Sequence, residues 1–108
     1  MNISVRGRHL AVSEVLKAYA VRRLTFSLGS FDSLVSDVEV RVDDENGPRG
    51  GVDKTSVITA VLRPIGTLIA RARHADAYSA IDRAAVRIRA LLVRRRTRAR
   101  RLDRRPVR

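Results

Sequence analysis

From Asp37 to Asp43 the chain alternates without a break. Val38, Val40 and Val42 fall on one side of an extended backbone, and Asp37, Glu39, Arg41 and Asp43 on the other. A strand has a side-chain period of two, so this segment has one buried face and one wet face. A sheet built around it is covered on one side only. The neighbouring segments fit that demand. Ile3 and Val5 alternate with Asn2, Ser4 and Arg6 as a short first strand that Gly7 ends. TSVITAVLR is a third strand, and Pro64-Ile65-Gly66 turns it into a fourth, TLIARAR. Between the first two strands, Ser13 is placed to cap a helix from about Glu14 to Leu24. Val12, Leu16, Tyr19, Ala20 and Leu24 share one face of it, with Lys17 beside that face. SLGSFDS and DENGPRGG read as a turn and a loop, and Asp76 is placed to cap a final helix.

The order strand, helix, three strands, helix specifies an α+β fold. We expect a β-α-β-β-β-α two-layer sandwich, a four-stranded mixed sheet with both helices on one face. The first strand, helix and second strand form a right-handed crossover, which makes that pair parallel. The remaining pairs are antiparallel hairpins. The expected organisation is one domain over residues 1–98, with no internal repeat, and an Arg-rich tail at residues 99–108.

Charge then narrows the function. Residues 1–73 carry 11 basic and 8 acidic side chains, whereas residues 74–108 carry 12 basic and 3 acidic. A mild body with a strongly basic C-terminal element points to a polyanionic partner. Of the 23 basic residues 21 are Arg, which suits bidentate phosphate contact. No apolar run nears the roughly 20 residues that span a bilayer. The opening MNISVRGRHL lacks the apolar stretch of a secretory leader. A soluble cytoplasmic protein without a membrane partner is therefore expected.

In the final helix Ala77, Ile81, Ala84, Ile88 and Leu91 recur at spacings of four and three, a single face that belongs on the sheet. At about 100 degrees per residue, Arg83, Arg87, Arg94, Arg98, Arg101 and Arg105 fall within about 60 degrees of one another, roughly 100 degrees from that face. Their long stems can pack at the sheet edge while the guanidinium groups reach phosphates. Beyond Leu92 the apolar pattern stops, so the helix projects from the body or frays. A disordered tail and one ordered by a polyanion both fit the last residues.

The remaining signals are weaker. Gly47-Pro48-Arg49-Gly50-Gly51 offers backbone N–H groups to a phosphate, with Arg49 and Lys54 as candidate contacts, but lacks the Lys-Ser/Thr of a nucleotide-binding loop. Asp43, Asp44, Glu45 and Asp53 read as a charged hairpin end without calcium-loop spacing. His9 and His74 stand alone, without a metal-ligand pattern. Tyr19 and Tyr78 sit beside core positions, where packing outweighs stacking on a base. No nucleophile has a base placed beside it. No cofactor, no small-molecule substrate and no enzymatic activity are expected.

The residues together resemble a family. Ile3, Val5, Gly7, Arg8, Leu10, Val12, Ser13, Leu16, Lys17 and Tyr19 follow the opening pattern of the short ribosome hibernation-promoting factors, the group of the ribosome-associated inhibitor A and sigma-54 modulation proteins. Phe31-Asp32 resembles the family's aromatic before the second strand. Asp76, Ala77, Tyr78, Ser79, Ala80, Ile81 and Asp82 resemble the start of its last helix, with Ala77 in place of a larger apolar residue. The loop from Asn46 to Lys54 is longer and richer in glycine than in the short members.

The resemblance implies a factor that binds 16S rRNA of the small ribosomal subunit at the A and P sites, competes with tRNA and mRNA, and silences or protects idle ribosomes. It implies RNA contacts through basic residues on the two helices and nearby loops: Lys17, Arg22, Arg23, Arg87, Arg94, Arg96 and Arg98, and the expected RNA-binding set adds Arg8 and the stripe residues Arg83 and Arg101. Two other readings stay open, a general binder of structured RNA or DNA and a protein-interaction module that modulates transcription.

Overall fold

The computed structural model describes residues 1–45 and 53–103, with side chains described through Arg98. The chain runs β1 (Asn2–Arg8), α1 (Glu14–Leu28), a 3₁₀ turn (Gly29–Phe31), β2 (Val35–Asp44), β3 (Lys54–Leu62), β4 (Thr67–His74) and α2 (Ala77–Asp103). The strands form one sheet in the order β1-β2-β3-β4, with β1 parallel to β2 and the other pairs antiparallel. This is the expected mixed sheet with its two helices.

Register puts Val38 beside Ile3 and Ala60, and Val40 beside Val5 and Ile58. These residues, with Val42, Leu62, Ala70 and Ala72, form the inner face of the sheet. Leu16, Ala20, Leu24 and Leu28 of α1 and Ile81, Ala84, Ala85, Ile88 and Leu92 of α2 close over it. Full burial of each Leu or Ile contributes about 1.5–3 kcal/mol. Small residues set how closely α2 sits. Ala60, Ala70 and Ala72 on the sheet meet a helix face that carries the fully buried Ala80, Ala84 and Ala85. The helix backbone therefore lies close on β3 and β4, while α1 lies beside it and touches β1.

Local chemistry explains the helix ends. The Ser13 backbone is extended, and its Oγ accepts from the Leu16 amide at 3.0 Å, as its sequence position led us to expect. Asp76 caps α2: one carboxylate oxygen accepts from the Tyr78 amide at 3.2 Å and the other from the Ser79 hydroxyl at 3.0 Å.

Two expectations need correction. Helix α1 does not stop near Leu24. It continues to Leu28, because Leu28 and then Phe31 reach the core and are almost fully buried. Gly7 does not end β1, which runs on to Arg8; the chain turns at His9, whose φ is +57°. Glycine at position 7 instead answers a close approach. A methyl group there overlaps the Leu10 carbonyl oxygen and lies 2.8 Å from a Val12 methyl. The uncovered sheet face is mixed. Its β1 and β2 rows carry Asn2, Ser4, Asp37, Glu39 and Arg41, but Val61 and Ile69 of β3 and β4 are exposed there.

The acidic hairpin end is more than a solvated cluster. Asp53 is 0% exposed, and the Lys54 Nζ lies 3.0 Å from it and 3.2 Å from Asp44. The Lys54 hydrogen bond holds the Asp53 carboxyl below the ordinary carboxylate range. Glu45 accepts from the Thr55 hydroxyl and from Arg73, each at 3.0 Å, and joins β2 to β3 and β4.

The two glycines make opposite predictions. Gly7→Ala should destabilise the fold by about 2–3 kcal/mol through overpacking. Gly29 sits at φ −57° with nothing within 4 Å of an added methyl. Gly29→Ala should be neutral or stabilise by about 0.4–1 kcal/mol. Urea unfolding of both variants measures this, and equal effects would contradict the packing at Gly7.

Candidate nucleic-acid interface

The buried face of α2 fixes its rotation on the sheet, and its arginines then divide between two flanks. The outer flank runs along β4. There Arg87 donates to the main-chain carbonyl of Arg71 in β4, so its stem lies across the sheet edge. Arg83, Arg94 and Arg98 share this flank by helical spacing and are exposed, with no hydrogen bond or ion pair among the described residues. Arg94 and Arg98 border a shallow depression with Val93 and Thr97. The expected stripe is thus one exposed surface from Arg83 to Arg98. The side chain of Arg101 lies outside the described residues, as does Arg49.

The inner flank of α2 faces α1. Tyr19 of α1 packs edge-to-face on Tyr78, with ring centroids 5.0 Å apart at 72°. The Tyr19 hydroxyl donates to Asp82 Oδ1 at 2.6 Å. Arg23 Nε donates to the same oxygen at 3.2 Å, and its Nη1 donates to the Ser27 hydroxyl. Asp82 therefore clamps α1 to α2 and holds the Arg23 guanidinium at the mouth of the groove between them. Farther along, the Arg96 guanidinium lies 4.2 Å from the centroid of the buried Phe31 ring, and that of Arg89 lies at 6.0 Å. Arg96 is half-buried at the core margin, with its guanidinium over this ring.

The groove past this clamp has a volume of about 500 Å³ and is lined by Arg23, Phe26, Ser27, Val86, Arg89 and Ala90. A smaller depression of about 230 Å³ adjoins it, lined by Tyr19, Arg22, Arg23 and Phe26. Three arginines and two aromatic rings line this surface together.

The remaining expected contacts lie apart. Lys17 is exposed on α1, but about 160 degrees around the helix from Tyr19, toward the flank away from the groove. Arg8 pairs in register with Asp43 on the uncovered sheet face, opposite the helices. Lys54 is bound up with Asp44 and Asp53, so its ammonium neutralises acids of the fold. The structure gathers Arg22 and Arg23 at the groove and Arg83, Arg87, Arg94 and Arg98 on the outer flank, with Arg96 over Phe31 and Arg8, Lys17 and Lys54 elsewhere.

Two groove residues were not foreseen, Phe26 and Arg89. Phe26 stands seven residues after Tyr19 and three after Arg23, a helical spacing. Ending α1 near Leu24 left it outside the helix and hid that relation. Arg89 lies off the stripe, on the flank that only the packing of α1 defines. Among the described residues no three His, Asp or Glu side chains are grouped to hold a metal ion, and no helix is long and apolar enough to cross a membrane.

The family model for sigma 54 modulation protein / S30EA ribosomal protein matches residues 3–100. No curated protein gives a significant sequence match. The fold is similar to the N-terminal domain of Protein Y from Thermus thermophilus, with TM-score 0.71 and 24% identity over 87% of this chain and 98% of that one. It is also similar to a ribosomal subunit interface protein from Coxiella burnetii, with TM-score 0.78 and 18% identity over 90% of this chain and 99% of that one.

The helix clamp gives a pH prediction. The Asp82 hydrogen bond, with burial, raises the Tyr19 phenol above its ordinary value of 10.0. The folded state thus favours the neutral phenol. Its contribution is complete below about pH 10 and is lost as pH rises through the folded value. Tyr19→Phe should cost about 1 kcal/mol at neutral pH and flatten the fall in stability above pH 10. Denaturant midpoints across that range check it; a variant that follows the parent throughout would contradict the clamp.

Proposed function

We propose, from the premise that this chain belongs to the sigma 54 modulation protein / S30EA ribosomal protein family, that it is a non-catalytic factor that associates with ribosomes and silences or protects them when idle. Its docking surface is the helical face, and its ligand is 16S rRNA in the decoding channel of the small subunit. There it excludes tRNA and mRNA from the A and P sites by occupying their space. Such a factor works in the cytoplasm.

The observation that carries this reading is the exposed flank Arg83, Arg87, Arg94 and Arg98, which has no acidic partner among the described residues. Four guanidinium groups along one side of a helix repel one another unless a polyanion answers them. The α2 backbone runs on to Asp103, which carries that side toward Arg101. Structured RNA fits this surface for a second reason. Its deep major groove hides base edges, so a rigid protein recognises backbone position and shape. A two-layer domain with both helices on one side offers a fixed shape with charge at defined places.

Co-sedimentation with purified ribosomal subunits across a salt series tests the reading. If about six arginines meet phosphates, affinity should fall with a log-log slope on the order of −4 to −5. tRNA bound to the small subunit should displace the protein. Replacing Arg87, Arg94 and Arg98 together with Glu should abolish binding while leaving the circular dichroism spectrum unchanged. Retained binding by that variant would remove the stripe from the interface, and indifference to tRNA would remove the decoding channel.

A further inference from the structure

Phe26, in the last turn of α1, is 86% exposed. A lone exposed apolar residue needs no explanation, but Phe26 does not stand alone. Val86, 60% exposed, lines the same interhelical groove from α2. Arg22 and Arg23 stand four and three positions before Phe26 on α1, and Arg89 borders the groove from α2. The Arg23 guanidinium is held in place by Asp82 and Ser27. The site is thus an open apolar floor, one face of it an aromatic ring, rimmed by three guanidinium groups and neutralised in part by a single carboxylate.

We propose that this groove holds one unstacked base of single-stranded RNA, with Phe26 stacked on the base and Arg22 and Arg89 on the flanking phosphates. The proposal rests on the ribosome-binding reading and gives it a specific contact. An apolar side chain or lipid tail would satisfy Phe26 and Val86 but would strip water from Arg22 and Arg89 without supplying acceptors. A bare phosphate chain would satisfy the arginines and leave the ring in water. A nucleotide answers both parts, because every base has a face for stacking and every linkage an anion for a guanidinium. The groove is open at the surface rather than enclosed, which suits a base presented from a strand.

Phe26 packs against little of its own fold, so substitution there should leave unfolding midpoints unchanged. Phe26→Ala should weaken binding to small subunits about 5- to 100-fold, the usual range for losing one base–aromatic stack. Its salt slope should match that of the parent protein. Arg22→Gln and Arg89→Gln should each reduce the slope by about one. Phe26→Trp should bind at least as well as the parent, whereas Phe26→Leu should be as weak as Phe26→Ala. Parent-like binding by Phe26→Ala would overturn the proposal, and parent-like binding by Phe26→Leu would reassign the groove to an apolar protein side chain.

Short single-stranded RNA carrying 2-aminopurine separates the two readings. Fluorescence quenching by the parent and not by Phe26→Ala supports the stacking site even if ribosomes are not bound. Ribosome binding by the parent with no effect of Phe26 sinks the stacking site alone. Absence of both quenching and ribosome binding removes both.

Discussion

The close seat of α2 on the sheet organises this molecule. Ala60, Ala70 and Ala72 keep the β3–β4 surface low, and Ala80, Ala84 and Ala85 keep the facing side of the helix low. A helix seated through small side chains has little freedom to roll. Its rotation then decides where every polar residue points. Arg83, Arg87, Arg94 and Arg98 go to the open flank beside β4, while Tyr78, Asp82, Arg89 and Arg96 go toward α1. Charge is sorted by packing.

The clamp between the helices works at a second level. Asp82 takes the Tyr19 hydroxyl at 2.6 Å and the Arg23 guanidinium at 3.2 Å. Tyr78 supports Tyr19 through an edge contact. A carboxylate in a basic region costs affinity for a polyanion, yet here it restrains a guanidinium that would otherwise sample many rotamers. Restraint of a long side chain before binding reduces the entropy lost on contact. The same carboxylate fixes the width of the groove that Phe26 and Val86 line. At the hairpin end of the sheet Lys54 pairs with the buried Asp53, and at the opposite end Arg96 covers Phe31, so two residues expected to meet RNA also make contacts within the fold.

Much of the architecture was legible in the chain. The Val38, Val40 and Val42 alternation required a sheet covered on one side, and the order of elements required two helices to cover it. Ser13 and Asp76 marked helix starts because each places a side-chain oxygen within reach of amides that a helix leaves unpaired. The last helix was legible through its apolar spacing, and its arginine stripe followed from the same geometry. The end of α1 was not legible, since Ser27, Gly29 and Ser30 are turn formers by local preference. Burial of Leu28 and Phe31 overrode that preference, and with it went the correct placement of Phe26.

By itself, then, the sequence determined the element order, the single covered face, the caps and the uneven charge, because these depend on residue period and local hydrogen bonding. Tertiary structure decided the rest. Gly7 stays in a strand because Leu10 and Val12 crowd it, not because the backbone turns there. Arg8 and Lys17 part from the helical arginines because sheet register and helix rotation send them elsewhere. Phe26 and Arg89 become neighbours only when two helices distant in sequence lie side by side. Contacts between residues some sixty positions apart leave no local periodic signal, and the folded packing alone brings them together.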